Sequence, residues 1–407
     1  MISEEKKIPI LFSEKKDCCG CGACVNICAH HAISMQEDQY GYLYPQIDSE
    51  VCVNCGLCKM VCNYQNHNVE HIPLQTFAAK GKDIQLTRKS TSGGIFASIA
   101  KEYIEDGGYV CGASYDDKWN VKHIIISQTD DLEKLQGSKY LQSYIGDCYA
   151  EVKKLLIKGE KVLFSGTPCQ VDGLYGFLRK SYDNLITIDI VCHGVPNNRM
   201  FHDYLKYLEK KNNGKISSFV FRDKELGWGC HGKVVFDASG GKIEKKQWES
   251  STSYIHYFRG GWIYRENCYH CKYACEHRPA DITLGDFWGI EKAHPEYLGK
   301  GGWNEEDGLS LVVANTDRGI DWIQKSKNKV EYKLSTFTKA SARNGNLKHP
   351  TSMPNNRDKL LEVYKNNGWE AIEVEFKKLG WKRYTTQIKM LLPKGLKRVI
   401  KKFFILL

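Results

Sequence analysis

No stretch of about 18 apolar residues occurs anywhere in the 407 residues, so no membrane-spanning helix is expected. The opening segment MISEEKKIPILF carries charges and lacks both a long apolar run and a small-residue cleavage site, so export is not expected either. Acidic residues are missing from Phe376 to Leu407, where ten lysines and arginines sit; this stretch accounts for the whole formal net charge of +10. The remaining charges balance, which argues against a broad nucleic-acid-binding face on the body of the protein. Cysteine, by contrast, is abundant, with 17 residues. A disulfide scaffold would suit a short secreted chain, but these cysteines cluster at metal-ligand spacings in a chain rich in Lys and Glu, which favours a reducing cytoplasm. The length suits two or three domains, and a multidomain enzyme is the default expectation.

Cys18, Cys21, Cys24 and Cys28 follow the spacing C-x2-C-x2-C-x3-C, and Cys52, Cys55, Cys58 and Cys62 repeat it. Thiolates on so tight a loop wrap three corners of a four-iron cube, and the fourth cysteine reaches the other cube. Crossed ligation follows: one 4Fe-4S cluster on Cys18, Cys21, Cys24 and Cys62, the other on Cys52, Cys55, Cys58 and Cys28. Gly20, Gly22 and Gly56 let backbone amides approach the sulfides closely. Ferredoxins of this type usually carry proline after the fourth cysteine, whereas Ala29 and Asn63 stand here. Cys19 falls outside the pattern and reads as a spare buried thiol. Zinc knuckles are the competing reading of C-x2-C, but they rarely repeat four cysteines at this spacing.

Beyond a connector ending near Pro73, Ser90-Thr91-Ser92-Gly93-Gly94 opens a helical pattern with Ile95, Ile99 and Tyr103 on one face. Its free amides, glycines and hydroxyls suit a phosphate or a flavin edge; an ordinary capped helix is the alternative. Gly137-Ser138-Lys139-Tyr140 reads as a loop between helices, and Lys139 there could pair with a cofactor phosphate. Gly227-Trp228-Gly229-Cys230-His231-Gly232 spells a dinucleotide fingerprint but is followed by a strand pattern rather than a helix, so that reading is rejected.

The strand Lys161–Ser165 leads through Pro168-Cys169 into a helix, and the strand Leu185–Val191 leads through Cys192-His193 into another, which implies parallel strands. Cys169 and Cys192 then emerge at the carboxyl edge, where ligands gather in such sheets. With Cys268, Cys271 and Cys275 they could build a further cluster, a zinc site or a set of reactive thiols. Cys169, Cys192, Cys268 and Cys271 form the preferred quartet. His193 is the candidate proton donor, with a histidine packed in a turn as the alternative. Cys111, Cys148 and Cys230 read as isolated structural thiols.

The tandem cysteine motifs followed by STSGGIF, GSKYLQS, FSGTPCQVDGL, IDIVCHGVP, FRDKELGW and CYHCKY…RPADITLGDFWG resemble the coenzyme F-420 hydrogenase/dehydrogenase beta-subunit family, from about Asp17 to Gly289. Among its members, the bacterial proteins associated with polysaccharide biosynthesis are the most similar. The resemblance implies bound FAD cradled by Ser92, Gly93, Gly94 and Lys139, and a cluster held by cysteines such as Cys169, Cys268 and Cys271. The expected fold is an α+β ferredoxin-like module carrying two 4Fe-4S clusters, then an α/β flavin-binding region with a partly parallel sheet. The expected divisions are a ferredoxin domain at 1–70, a flavin-binding domain at 74–158, a catalytic domain at 159–330 and a basic helical tail at 331–407. The expected function is a cytoplasmic iron-sulfur flavoprotein oxidoreductase passing electrons between a ferredoxin or redox subunit and a small-molecule substrate. An electron-transfer subunit without substrate chemistry of its own is the alternative. At the C-terminus, Lys394, Lys397, Arg398, Lys401 and Lys402 face away from Leu396, Val399, Ile400, Phe403, Phe404 and Leu407. Such a helix suits either the anionic inner membrane face or a protein surface.

Overall fold

A computed structural model describes residues 8–66 and 71–384 of the chain. The basic segment from Lys394 onward lies outside these residues.

The N-terminal module is built on its two cysteine loops. Each enters a short helix, Ala23–Ile27 or Leu57–Met60, through a glycine in the left-handed region, Gly22 at φ 79° and Gly56 at φ 75°. No side chain blocks the approach to the loop at either turn. Between the loops, Ile33–Glu37 and Leu43–Ile47 form an antiparallel pair with Met35 opposite Pro45.

The rest of the chain is organised around one eight-stranded mixed sheet. From edge to edge its strands are Val330–Ser335, Gln75–Gly81, Ser310–Ala314, Ile282–Asp286, Leu185–Ile190, Val162–Gly166, Tyr109–Tyr115 and Val121–Ile126. The four from Ile282–Asp286 to Tyr109–Tyr115 run parallel, and the outer strands are antiparallel. The central strands are continuous apolar runs because both faces are covered: Val162, Leu163 and Phe164 are fully buried. The helix Ile95–Glu105 buries Ile95, Ile99 and Tyr103 against one face. The helices Cys148–Ile157 and Pro168–Leu178 cover the other.

A second, three-stranded antiparallel sheet, Gly214–Val220, Gly232–Ala238 and Gly241–Gln247, packs against the helices Asn198–Asn212 and Arg357–Lys378. Its core is aromatic, with Tyr204, Phe219, Phe221, Tyr254 and Trp369 in mutual contact. The strand after the glycine-rich Gly227–Gly232 stretch is the expected one, so no helix receives a dinucleotide there.

Residues 74–158 and 159–330 thus contribute strands to a single sheet. The segment from residue 331, expected as a helical tail, completes the edge strand Val330–Ser335 before it turns helical.

Candidate functional site

Cys18, Cys21, Cys24 and Cys62 line one cavity, together with Cys19, Gly20, Gly22 and Cys58. Cys62 comes from the second motif, so the fold brings together the crossed set. Burial pushes the thiols of Cys18, Cys24 and Cys62 up, Cys62 to about 11, and the nearby thiols add to the effect at each. Desolvated thiols of this kind ionise far more readily around a cationic centre, which iron would supply. The second set opens to solvent at Cys55, which is exposed; Cys28 and Cys52 are half-buried, and buried Cys58 has Cys55 and Cys52 as its thiol neighbours.

Three devices hold the first set against the large sheet. Gly173 and Gly176, one turn apart on the helix Pro168–Leu178, leave space for the module: a Cβ would stand 2.8 Å from the Cys21 sulfur at the first position and 2.2 Å from the Val61 carbonyl at the second. Asn63, which replaces the usual proline, donates through Nδ2 to the carbonyl and carboxylate oxygens of Asp172. Gln142, from the GSKYLQS stretch, donates to the carbonyl of Cys19 at 3.1 Å.

Cys169 and Cys192 do reach the same edge of the sheet, since Gly166 pairs with Asp189 just before each chain leaves it. Pro168 starts the helix behind Cys169, and a capping box of Thr167 and Gln170 closes its first turn. The strand Ile282–Asp286 follows Cys268 and Cys271 and lies beside Leu185–Ile190. The four sulfurs form a mutually interacting set. Cys192 is pushed up to about 12 by burial, then by Cys169 and Cys271; Cys271 is pushed up to about 11 by burial, then by Cys169. Cys268 is raised by burial and by Cys192 and Cys271. All four are half-buried. Cys275 turns away and donates to the carbonyls of Lys272 and His277.

Cys19 is more than a spare thiol. It lies within hydrogen-bonding reach of Cys21 and of Cys169, and its donation holds both of their thiols below the usual range. One buried sulfur therefore bridges the ferredoxin set and the quartet. Cys111 and Cys148, expected as isolated thiols, touch at 2.8 Å in the core. Among the described residues no three His, Cys, Asp or Glu side chains are grouped to hold a single metal ion; a four-iron cube spreads its thiolates farther apart than zinc does.

The Ser90–Gly94 turn and the Gly137–Tyr140 loop also meet, through Thr91 Oγ1 and Ser138 Oγ at 3.0 Å. Much of the first motif is accounted for by packing: Ser92 Oγ donates to the Leu309 carbonyl, and a Cβ on Gly93 would lie 2.6 Å from the Ala79 carbonyl. Gly94 sits at φ 77° as the helix N-cap. What fits an anion here is a pair of lysine amines that donate to backbone carbonyls. Lys139 donates to the carbonyls of Lys134 and Gln136, and desolvation brings it down to about 7. Lys224 donates to the carbonyls of Thr87 and Ser92, and desolvation, then Arg222, brings it down to about 8.

Arg222 itself forks onto Asp286 at 2.5 and 3.0 Å, and Trp228 Nε1 donates to the same carboxylate. The Trp228 and Trp288 rings stack at 4.5 Å. His193 reaches the surface near this group, and partial desolvation by the surrounding protein, with the cations Arg259 and Arg222, lowers its pKa against the pull of Asp286. The motifs FRDKELGW and GDFWG contain these residues, but their convergence from separate elements has no local signature.

Residues 17–66 match the 4Fe-4S dicluster domain, and residues 159–340 match the C-terminal region of the coenzyme F-420 hydrogenase/dehydrogenase beta subunit. An uncharacterized protein of Methanocaldococcus jannaschii is 24% identical over 332 residues, covering 71% of this chain and 84% of its own. The coenzyme F-420-dependent sulfite reductase of the same organism is 24% identical over 332 residues, covering 78% of this chain but 46% of its own length. A chain of the F-420-reducing NiFe hydrogenase complex from Methanosarcina barkeri superposes with a TM-score of 0.43 at 16% identity, over 76% of this chain and 92% of that one. This chain thus joins a 4Fe-4S dicluster domain, over residues 17–66, to a region belonging to the C-terminal family of the coenzyme F-420 hydrogenase/dehydrogenase beta subunit, over residues 159–340.

Proposed function

We propose that the chain is an iron-sulfur flavoprotein oxidoreductase linking a redox partner protein to a small-molecule substrate. Cys18, Cys21, Cys24 and Cys62 would hold one 4Fe-4S cluster, Cys52, Cys55, Cys58 and Cys28 a second, and Cys169, Cys192, Cys268 and Cys271 a third. Ser92, Gly93, Gly94 and Lys139, with Lys224, would hold FAD. Clusters carry single electrons and flavin exchanges them in pairs, which is the chemistry these groups supply.

The observation that carries this reading is the cavity ringed by Cys18, Cys21, Cys24 and Cys62, because it unites ligands from both motifs. The placement of the cysteines supports it: Cys55 of the second set meets solvent, and buried Cys19 joins the first set to the quartet. In the flavin region Lys139 and Lys224 supply positive charge for a phosphate, and His193 is placed to hold a proton for a reduced substrate. An anaerobic preparation assayed for iron, sulfide and extracted flavin tests the proposal; a colourless protein containing zinc and no flavin would refute it.

Exposed Val51, Val53 and Met60 beside the outer set favour a second reading, that of an electron-transfer subunit which leaves substrate chemistry to a partner. Reduction of an acceptor by the isolated chain would decide for the enzyme. The association with polysaccharide biosynthesis is a further part of the proposal, tested by looking for a reducible sugar-linked substrate.

A further inference from the structure

Four arginines are buried among the described residues, and three of them meet a carboxylate: Arg222 pairs with Asp286, Arg278 with Asp189 and Arg357 with Asp358. The fourth, Arg265, is the most deeply placed, at 0% exposure, and forms no ion pair with a carboxylate. Its Nε donates to the Cys18 carbonyl at 3.0 Å, its Nη1 to the Leu43 carbonyl at 2.6 Å, and its Nη2 points to the Cys18 sulfur at 3.6 Å. The guanidinium lies 3.9 Å from the centre of the Tyr44 ring. Besides Tyr44, the ionisable groups it acts on include the thiols of Cys18 and Cys19 in the ferredoxin module and of Cys268 and Cys169 in the quartet.

A buried guanidinium without a counter-charge is among the costliest arrangements a fold can hold, and carbonyl dipoles satisfy its protons without neutralising it. The missing negative charge must therefore reside on the groups that the thiols hold. Four thiolates around a four-iron cube are net anionic, and each one-electron reduction adds a further negative charge. Cluster potential depends on net charge, on hydrogen bonds to sulfur and on burial, and Arg265 alters the first two at Cys18.

We infer that Arg265 is the counter-charge shared by the two buried cluster sites, and that it raises the reduction potential on the Cys18 side above that of the outer set. The inference rests on the cluster assignment proposed above. When one electron leaves the outer centre, oxidising it, and reduces the inner one, Arg265 offsets the added charge without losing its own proton. Electrons are thereby biased inward, from the exposed Cys55 side toward the quartet. Arg265 is a positioning and charge-compensating residue; nothing places it against a substrate.

Two independent changes remove this compensation. Arg265→Gln deletes the charge. Gln142→Glu leaves Arg265 in place and sets a carboxylate near it, because the ends of the two side chains both flank Gly20: a Cβ there would stand 2.9 Å from Gln142 Nε2 and 3.0 Å from Arg265 Cζ. The experiment is an EPR-monitored redox titration of the intact, anaerobically prepared chain, with the outer centre identified as the signal that Cys55→Ser perturbs. Both variants should make the inner centre at least tenfold harder to reduce, a fall of about 59 mV or more for a one-electron couple. The outer centre should keep its midpoint, and Arg265→Lys should recover most of the inner one. Should Arg265→Gln fail to fold, Gln142→Glu alone reports. Unchanged inner potentials in a variant that retains its iron would overturn the inference. A wild-type chain without iron-sulfur signals would instead overturn the cluster assignment beneath it.

Discussion

His123 shows how a single residue sets a pH limit. Its ring contacts Ser143 Oγ and the Ser165 carbonyl, both at 3.0 Å, and desolvation pulls its pKa down to about 4. The folded value lies below that of the unfolded chain, so the unfolded state binds the extra proton, and stability is lost as pH falls from about 6.5 toward 4, by about 1.4 kcal/mol per unit. Urea midpoints at pH 7.5 and 5.5 should diverge less for His123→Gln than for the wild type by about 1 kcal/mol; equal divergence would remove His123 as the cause. Lys139 makes the opposite kind of prediction. Held at about 7 without an anionic partner, it must take up a proton to meet a phosphate at higher pH. Flavin affinity of the deflavinated chain should therefore fall between pH 6.5 and 8.5, and Lys139→Arg should flatten the fall, as read by quenching of flavin fluorescence. Of these two residues, only Lys139 stood out in the sequence. His123 carries no motif, because its perturbation comes from a desolvated slot that distant strands create.

At the scale of elements, the helix Pro168–Leu178 does several jobs at once. Its first turn presents Cys169, its Asp172 takes Asn63 and the Tyr273 hydroxyl, and its two glycines admit the ferredoxin module. A methyl group at Gly176 would collide with the Val61 backbone, which cannot swing aside as a side chain can. Gly176→Ala should cost about 1–3 kcal/mol and loosen the seat of the first thiol set, seen as a lower unfolding temperature and faster bleaching of the visible absorbance. Gly299→Ala makes a matched control only for bulk, because Gly299 faces open space but sits at φ 93°. The helix itself was legible from Pro168 and its apolar run, and so were the strands at Val162–Gly166 and Leu185–Ile190. The need for glycine at positions 173 and 176 was not legible, since it arises from the Cys21 side chain and the Val61 backbone, both more than a hundred residues away.

For the whole molecule, metal content separates the possibilities. Three clusters require about 12 iron atoms per chain and two require about 8. A Cys268→Ser, Cys271→Ser double variant should fall from the higher value to the lower while keeping the signals of the two N-terminal centres; an unchanged iron content would take the quartet out of the account. The basic C-terminal segment gives a separate test. Flotation of the intact chain with anionic liposomes, lost on truncation before Lys394, is the outcome expected of a surface-bound amphipathic helix. Equal flotation of both would remove that idea. Among the described residues no helix is long and apolar enough to cross a membrane.

Cysteine spacing alone determined the two four-thiol motifs, because ligand geometry on a tight loop is local and the residues that satisfy it lie within a dozen positions. Strand and helix periodicity likewise determined that Cys169 and Cys192 leave parallel strands at one edge. Only the tertiary structure decided that Cys19 joins those two regions, that Arg265 lies unpaired between them, and that both halves of the body share one sheet. Those features depend on which surfaces meet once each segment has buried its apolar face, and a buried charge reveals its missing partner only when all of its neighbours are in place.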